Sequence, residues 1–327
     1  MTQLQSESAP VTAPAPKLRA PWFKRAFQSV VENPVIAKEL RGRMRGRQAF
    51  VTLSVYLVLI SILLLLIYLT ADLGSSNTSW TPEFRQELGK ALFGTVILME
   101  LLMIPFIAPG LTSGSIAAER EHRTFDLLRT TLLSPRAFVL GKLGAAFAFL
   151  LLLIFAALPL ESIAFMLGGV GLEELLVSTL MLVVTAIYYC TLGLFFSSIL
   201  KRVIAATVAS YGSIVLGLLM LFVVYILLML LESYSYGYSY PSRPDPFWED
   251  LMSIVVWVLI STNPLIAAIV SETLLVDSQE LFFTTDPLSS SNGLVVPSPW
   301  IIYTLVMLFQ TFLMIWWSIR AVRRPDR

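Results

Sequence analysis

Charge, cysteine and histidine are all scarce in this chain. Charged residues make up 14% of its 327 residues, where a soluble domain carries about 25%. Cys190 is the only cysteine and His122 the only histidine. One cysteine excludes an intrachain disulfide framework and a cysteine-based metal site. So few soft ligands leave nothing from which to build a transition-metal centre. Neither Gly-x-Ser-x-Gly nor His-Glu-x-x-His occurs, so the two common routes to an intramembrane protease are closed. A phosphate-binding loop is also missing: Gly89-Lys90 and Gly141-Lys142 lack both the upstream glycine and the following hydroxyl. We therefore expect a non-enzyme with no cofactor and no metal. The alternating pattern of membrane barrel strands is absent. Met1–Pro21 is rich in Ala, Pro, Ser and Gln and lacks the apolar segment of a cleavable signal; it reads as a disordered cytoplasmic tail.

What the chain does have is apolar length. Hydrophobic residues reach 56%, and the charges are pooled between long uncharged runs. A membrane span needs roughly 20 apolar residues to cross about 30 Å of hydrocarbon, and its backbone must bond internally, so such runs are helices. Six qualify, near 49–69, 91–111, 143–167, 175–199, 203–231 and 300–319. The expected fold is an all-α integral membrane protein of six transmembrane helices. Its expected organisation is a tail (1–21), basic amphipathic interfacial helices (22–48) and a six-helix domain (49–327). With the N-terminus inside, 20 of the 23 Lys and Arg residues fall on the inner side and only Arg85, Lys90 and Arg243 outside. The positive-inside rule thus places both termini in the cytoplasm of a multi-pass protein of the cell membrane. The run Leu251–Val270 is long enough to cross, but Asn263-Pro264 divides it. A seventh crossing would put the basic C-terminus outside, so a broken, re-entrant or interfacial hairpin is expected within the outer segment 232–299.

Ahead of the first span, Asn33-Pro34 combines an N-cap residue with proline at the first helical position. On the helix that follows, Ile36, Ala37, Leu40 and Met44 share one face, and Lys38, Arg41 and Arg45 another. Such a helix suits the inner membrane surface, with basic groups at lipid phosphates. Its arginines serve equally well as topology determinants. No folded basic domain accompanies them, so no nucleic-acid partner is expected.

The stretch from Ser115 to Lys142, SIAAEREHRTFDLLRTTLLSPRAFVLGK, interrupts two of the most apolar runs. Residues 116–123 read as an extension of the second span. Thr124 is suited to cap a new short helix with Asp126 in its first turn. Leu128 and Leu132 then share a face, and Ser134-Pro135 starts the next helix. Local physics leaves two readings open: docking to a cytosolic partner, or bracing of the bundle.

These motifs resemble the membrane subunits of type-2 ATP-binding-cassette (ABC) exporters. Glu119, Arg120, Glu121, Thr124, Leu127, Leu128, Thr131, Ser134, Pro135, Gly141 and Lys142 match that family's cytoplasmic segment. Asn33, Pro34, Lys38, Glu39, Leu40 and Arg41 match its amphipathic first helix, and Thr262-Asn263-Pro264-Leu265 weakly resembles its outer segment. Arg123 stands where the family has glycine, and Leu132 where it has proline. The resemblance implies an export subunit without its own ATPase, paired as a homo- or heterodimer with a second permease subunit and served by a separate ABC ATPase. It implies that Glu119, Arg120, Glu121, Phe125, Leu128 and Leu132 of segment 112–142 couple to that ATPase, and that the interfacial helix acts through Lys38, Glu39, Arg41 and Arg45.

Within the spans, Glu100 lies about nine residues deep, roughly 14 Å at 1.5 Å per residue. A carboxyl there must face the bundle, be protonated or find a partner. It is a candidate for the translocation path, with an interhelical hydrogen bond as the plainer and preferred reading. Glu161, near the outer end of its span, is expected at the interface and at a different depth from Glu100, so no carboxylate pair is expected. Tyr188, Tyr189, Ser210, Tyr211 and Ser213 fit packing and interhelical bonding better than a binding site. Two other classes stay open: an ATPase-independent secondary transporter, and a membrane anchor or assembly protein. No cargo is legible.

Overall fold

The structure, a computed structural model, describes residues 34–44, 46–74, 81–123, 134–237, 246–277, 281–285 and 295–323. Helix α1 spans Pro34–Met44, α2 Arg47–Gly74, α3 Pro82–Thr112 and α4 Ala117–Glu121. These are followed by α5 (Pro135–Met166), α6 (Leu172–Ile199), α7 (Val203–Gly237), α8 (Pro246–Thr262) and α9 (Pro264–Asp277). A short hairpin of β1 (Phe283–Thr285) and β2 (Val295–Pro297) leads into α10 (Pro299–Arg323). Among the described residues six helices are long and apolar enough to cross a membrane: α2, α3, α5, α6, α7 and α10. Each corresponds to a span expected from the sequence.

The helix starts follow capping chemistry. Thr81 and Ser134 sit in extended backbone before a proline, and their hydroxyls accept from Phe84 N at 3.3 Å and Ala137 N at 3.2 Å. Pro82 thereby begins α3 nine residues before the apolar run, a start that hydropathy alone misses. Pro105 and Pro109 lie inside α3 and Pro159 inside α5, as membrane helices tolerate.

Helix α6 is central. It packs along α3 and α10 and touches α5, α7 and α9. At the α3–α6 crossing Gly193 lies against Thr112 and, 3.0 Å from where a Cβ would sit, Pro109 Cα; only glycine lets the backbones come this close. The core contains Leu101, Leu150, Met181, Leu182, Leu194 and Tyr303, and the Tyr303 hydroxyl bonds Thr185 Oγ1 at 2.6 Å. Outward faces are the reverse of a soluble protein's. Phe50 is 72% exposed, Ile204 78% and Leu216 70%, on helices whose neighbours are also bare. Apolar surface on this scale needs an apolar surrounding.

The run 251–270 is not one straight helix. α8 and α9 meet at Asn263 with a bend of 110°, and Asn263 Oδ1 accepts from Leu265 N at 3.0 Å, capping α9. The break expected from Asn-Pro is there. The hairpin beyond it was not anticipated. Trp257 Nε1 donates to Pro297 O at 2.9 Å and Trp300 Nε1 to Leu281 O at 2.8 Å, so two indoles bind the hairpin to α8 and α10.

Candidate coupling site

At the basic end of the bundle the chain gathers around Lys142, in the third turn of α5. Its side chain is 4% exposed. The ammonium lies 2.8 Å from Glu119 Oε1 and 3.2 Å from Glu39 Oε1, donates to Ser115 O at 3.0 Å and sits 5.2 Å from the centre of the Phe138 ring. A cation this buried is stable only when its neighbours replace water. Here two carboxylates, a carbonyl and a ring do so, drawn from α1, from the end of α3 with α4, and from α5. Gly144 makes room for the arrangement: a Cβ there would come within 3.0 Å of Ile36 Cδ1.

Around this centre, side chains close the ends of neighbouring helices. Arg43 Nη2 donates to Leu111 O in the last turn of α3 at 2.8 Å, and Arg120 Nη1 to Ser198 O in the last turn of α6 at 2.7 Å. Both cations meet helix C-terminal carbonyls, which lack intrahelical donors and carry partial negative charge. Burial pushes the Arg43 guanidinium below its ordinary pKa, and the charge of Glu39 opposes this. Ser197 Oγ accepts from the amides of Ile116 and Ala117, at 2.9 and 3.0 Å, at the start of α4. Glu121 Oε2 accepts from Val203 N, the first residue of α7, at 3.1 Å.

Of the predicted site residues, Glu119, Arg120 and Glu121 are thus engaged inside the chain, on α5, α6 and α7 respectively. Phe125, Leu128 and Leu132 lie outside the described residues, as does Arg45. On α1, Lys38 and Arg41 are exposed and Glu39 is half-buried. The apolar face expected there is rotated. Ile36, Glu39, Leu40 and Arg43 turn inward, while Ala37 is exposed and Met44 is 51% exposed. The reason is polar: Lys142 and the Leu111 carbonyl supply partners that draw Glu39 and Arg43 into the bundle. Lys142 was legible only as a motif residue at the start of a span. Its distance of 103 residues from Glu39 hid the pairing.

Arg123, noted for standing in place of glycine, has φ 57°. It follows the C-cap of α4, where a left-handed residue ends a helix and glycine is favoured.

Deeper in the bundle, Glu100 is fully buried and its Oε1 accepts from the Tyr56 hydroxyl on α2 at 2.6 Å. That is the interhelical hydrogen bond preferred from the sequence. Glu161 differs from expectation: it is fully buried, and its two oxygens have no hydrogen-bond partner among the described residues. Apolar run lengths give depth along a helix axis but not rotation about it, so they do not show that this side chain turns into the bundle.

A cavity of about 330 Å³ opens between α3, α6, α7, α10 and the α8–α9 bend. Its polar groups include Tyr188, Tyr189, Asn263 and Gln310. Glu100 does not line it, although Leu101 and Leu102 do. Tyr211, by contrast, is interhelical as expected, donating to Phe106 O at 2.8 Å.

Six apolar helices with bare apolar flanks define an all-α, multi-pass membrane protein. Among known proteins, no family model and no curated sequence matches the chain.

Proposed function

We propose that the chain is the membrane subunit of a type-2 ABC exporter. It forms the export path with a second permease subunit and is driven by a separate ABC ATPase that docks on segment 112–142. Both termini then lie in the cytoplasm, α1 rests at the inner surface of the cell membrane, and the bent pair α8–α9 forms a re-entrant element on the outer side. The observation that carries this reading is the Lys142 cluster. Glu39 and Glu119 converge within 3.2 Å of the Lys142 ammonium, and the resemblance picks out all three residues separately. Force applied to the segment after α4 would reach α3 and α5 through that cluster, α6 through Arg120 and α7 through Glu121. The cavity beside the α8–α9 bend offers a place for cargo to pass.

Copurification tests the proposal. The tagged full chain, expressed in its native cell, should retain an ABC ATPase whose hydrolysis rate changes on binding. A double substitution, Leu128→Asp with Leu132→Asp, should abolish retention while the membrane protein still purifies intact. Undiminished retention would defeat the docking assignment. Failure of the wild-type chain to retain any ATPase would defeat the exporter.

One observation favours a secondary transporter instead. Fully buried Glu100 and Glu161, together with a broken helix pair, are features that ion-coupled transporters share. Cargo movement by the chain in vesicles without ATPase, lost in Glu161→Gln, would establish that reading.

A further inference from the structure

The cavity beside the α8–α9 bend, about 330 Å³ in volume, has a wall made mostly of leucine, isoleucine, methionine, proline and phenylalanine. No charged residue lines it among the described residues. Six polar side chains do, and they fall into two kinds. The hydroxyls of Ser213 and Thr262 donate within their own helices, to Ser210 O and Leu259 O, each at 2.7 Å. The other four have groups to spare. Among the described residues the hydroxyls of Tyr188 and Tyr189 and the amide of Gln310 have no hydrogen-bond partner, and Asn263 engages only Oδ1, which caps α9. Hydroxyl and amide groups set among membrane helices are costly unless something bonds them. Leu102 and Phe106 of α3 and Met220 of α7 line the cavity and are also exposed, so its mouth is framed by apolar side chains.

We propose that this cavity binds an uncharged, single-chain amphiphile. Its hydroxylated head bonds Tyr188, Tyr189, Asn263 and Gln310, and its hydrocarbon chain lies on the apolar wall. Water would bond the four polar groups but leave the apolar wall wet. A plain hydrocarbon would cover the wall and leave the four groups unbonded. A molecule with both parts satisfies the whole lining, which is the usual composition of a small-molecule site. A charged head is disfavoured, because no opposite charge is present to replace its hydration. The volume lies at the low end of such sites, about 300–1,000 Å³. It accommodates one head with part of one chain, and the remainder of the chain leaves through the apolar mouth. Calling this molecule the cargo rests on the exporter reading; the binding site itself does not.

Photolabelling tests the site. The probe is a monoacylglycerol with a diazirine in its chain, added to the full chain in phosphatidylcholine nanodiscs, where no glycosidic detergent competes. The expected result is saturable labelling of the cavity-lining peptides of α3, α6 and α7, displaced by unlabelled monoacylglycerol. An alkyl sulfate and an alkyl trimethylammonium of the same chain length should displace it poorly. Glycerol, the head without the chain, should not displace it at all, which separates a membrane amphiphile from a soluble polyol. Tyr189→Phe and Gln310→Met keep shape and remove one polar group each, so each should weaken labelling by about threefold to tenfold, the equivalent of one hydrogen bond. Gly217 lines the cavity, and a Cβ there would meet nothing within 4 Å. Gly217→Leu therefore fills the space without a collision, in a residue type that helices favour, and should abolish the labelling while the chain stays folded. Labelling that does not saturate, or that falls equally on the bare face of α2, overturns the proposal. So does displacement by glycerol, equal displacement by either charged amphiphile, or undiminished labelling in Gly217→Leu. None of these measurements involves an ATPase, so failure here leaves ATPase retention untouched, and failure of retention leaves the binding site standing.

Discussion

Lys142 shows how one side chain couples distant parts of the sequence. Replacing it with Met keeps the length of the stem but removes the cation that Glu39 and Glu119 share. Removing one partner from a buried ion pair costs about 3–5 kcal/mol; because both carboxylates keep some solvent contact, about 3 kcal/mol is the expected loss in denaturant unfolding. Adding Glu39→Gln and Glu119→Gln should recover part of it. Arg123 makes the opposite prediction. A non-glycine residue in the left-handed region costs about 1–2 kcal/mol, so Arg123→Gly should raise unfolding stability by about 1 kcal/mol, after the greater freedom of glycine in the unfolded chain is deducted. The sequence flagged Glu39, Glu119, Lys142 and Arg123 one by one. It did not reveal that three of them touch, because pairings across 103 residues follow from helix packing and not from local spacing.

Among the elements, those governed by local chemistry were legible. Ser134-Pro135 starts α5 and Asn263-Pro264 breaks the 251–270 run, each through a cap and a proline. The face of α1 was not legible, since a wheel drawn from hydropathy counts Glu39 and Arg43 as outward and cannot know that partners await them inside. Glu161 was misjudged for a related reason: nothing in its own helix reveals what the neighbouring helix presents. The seating of α1 can be tested at Gly144. Leucine there would collide with Ile36, and overpacking of this kind costs about 1–3 kcal/mol. Gly144→Leu should therefore release α1 and speed tryptic cleavage at Lys38 and Arg41 by about tenfold or more, with Gly144→Ala showing a smaller effect.

For the whole molecule, six spans were readable because hydrocarbon thickness imposes one length on all of them. Orientation rests on the distribution of Lys and Arg and is open to direct measurement. Cys190 is fully buried and does not compete for an impermeant reagent, so the wild-type chain itself is the background for single reporters. Cysteines at Lys38 and Arg323 should resist an impermeant maleimide added to intact cells and react after permeabilisation, whereas one at Arg85 should react at once. Labelling of position 38 in intact cells would invert the topology and with it the proposed placement of the ATPase.

The pairing of cations with internal groups at the basic end also bears on reagent access. Arg43 and Arg120 are turned to carbonyls at the ends of α3 and α6, and Lys142 is enclosed by two acids. Lys142 is hidden from solutes, whereas Lys38 of α1 is exposed. Amine acylation of the folded detergent complex should therefore modify Lys38 quickly and Lys142 only after unfolding, as peptide mass mapping would show.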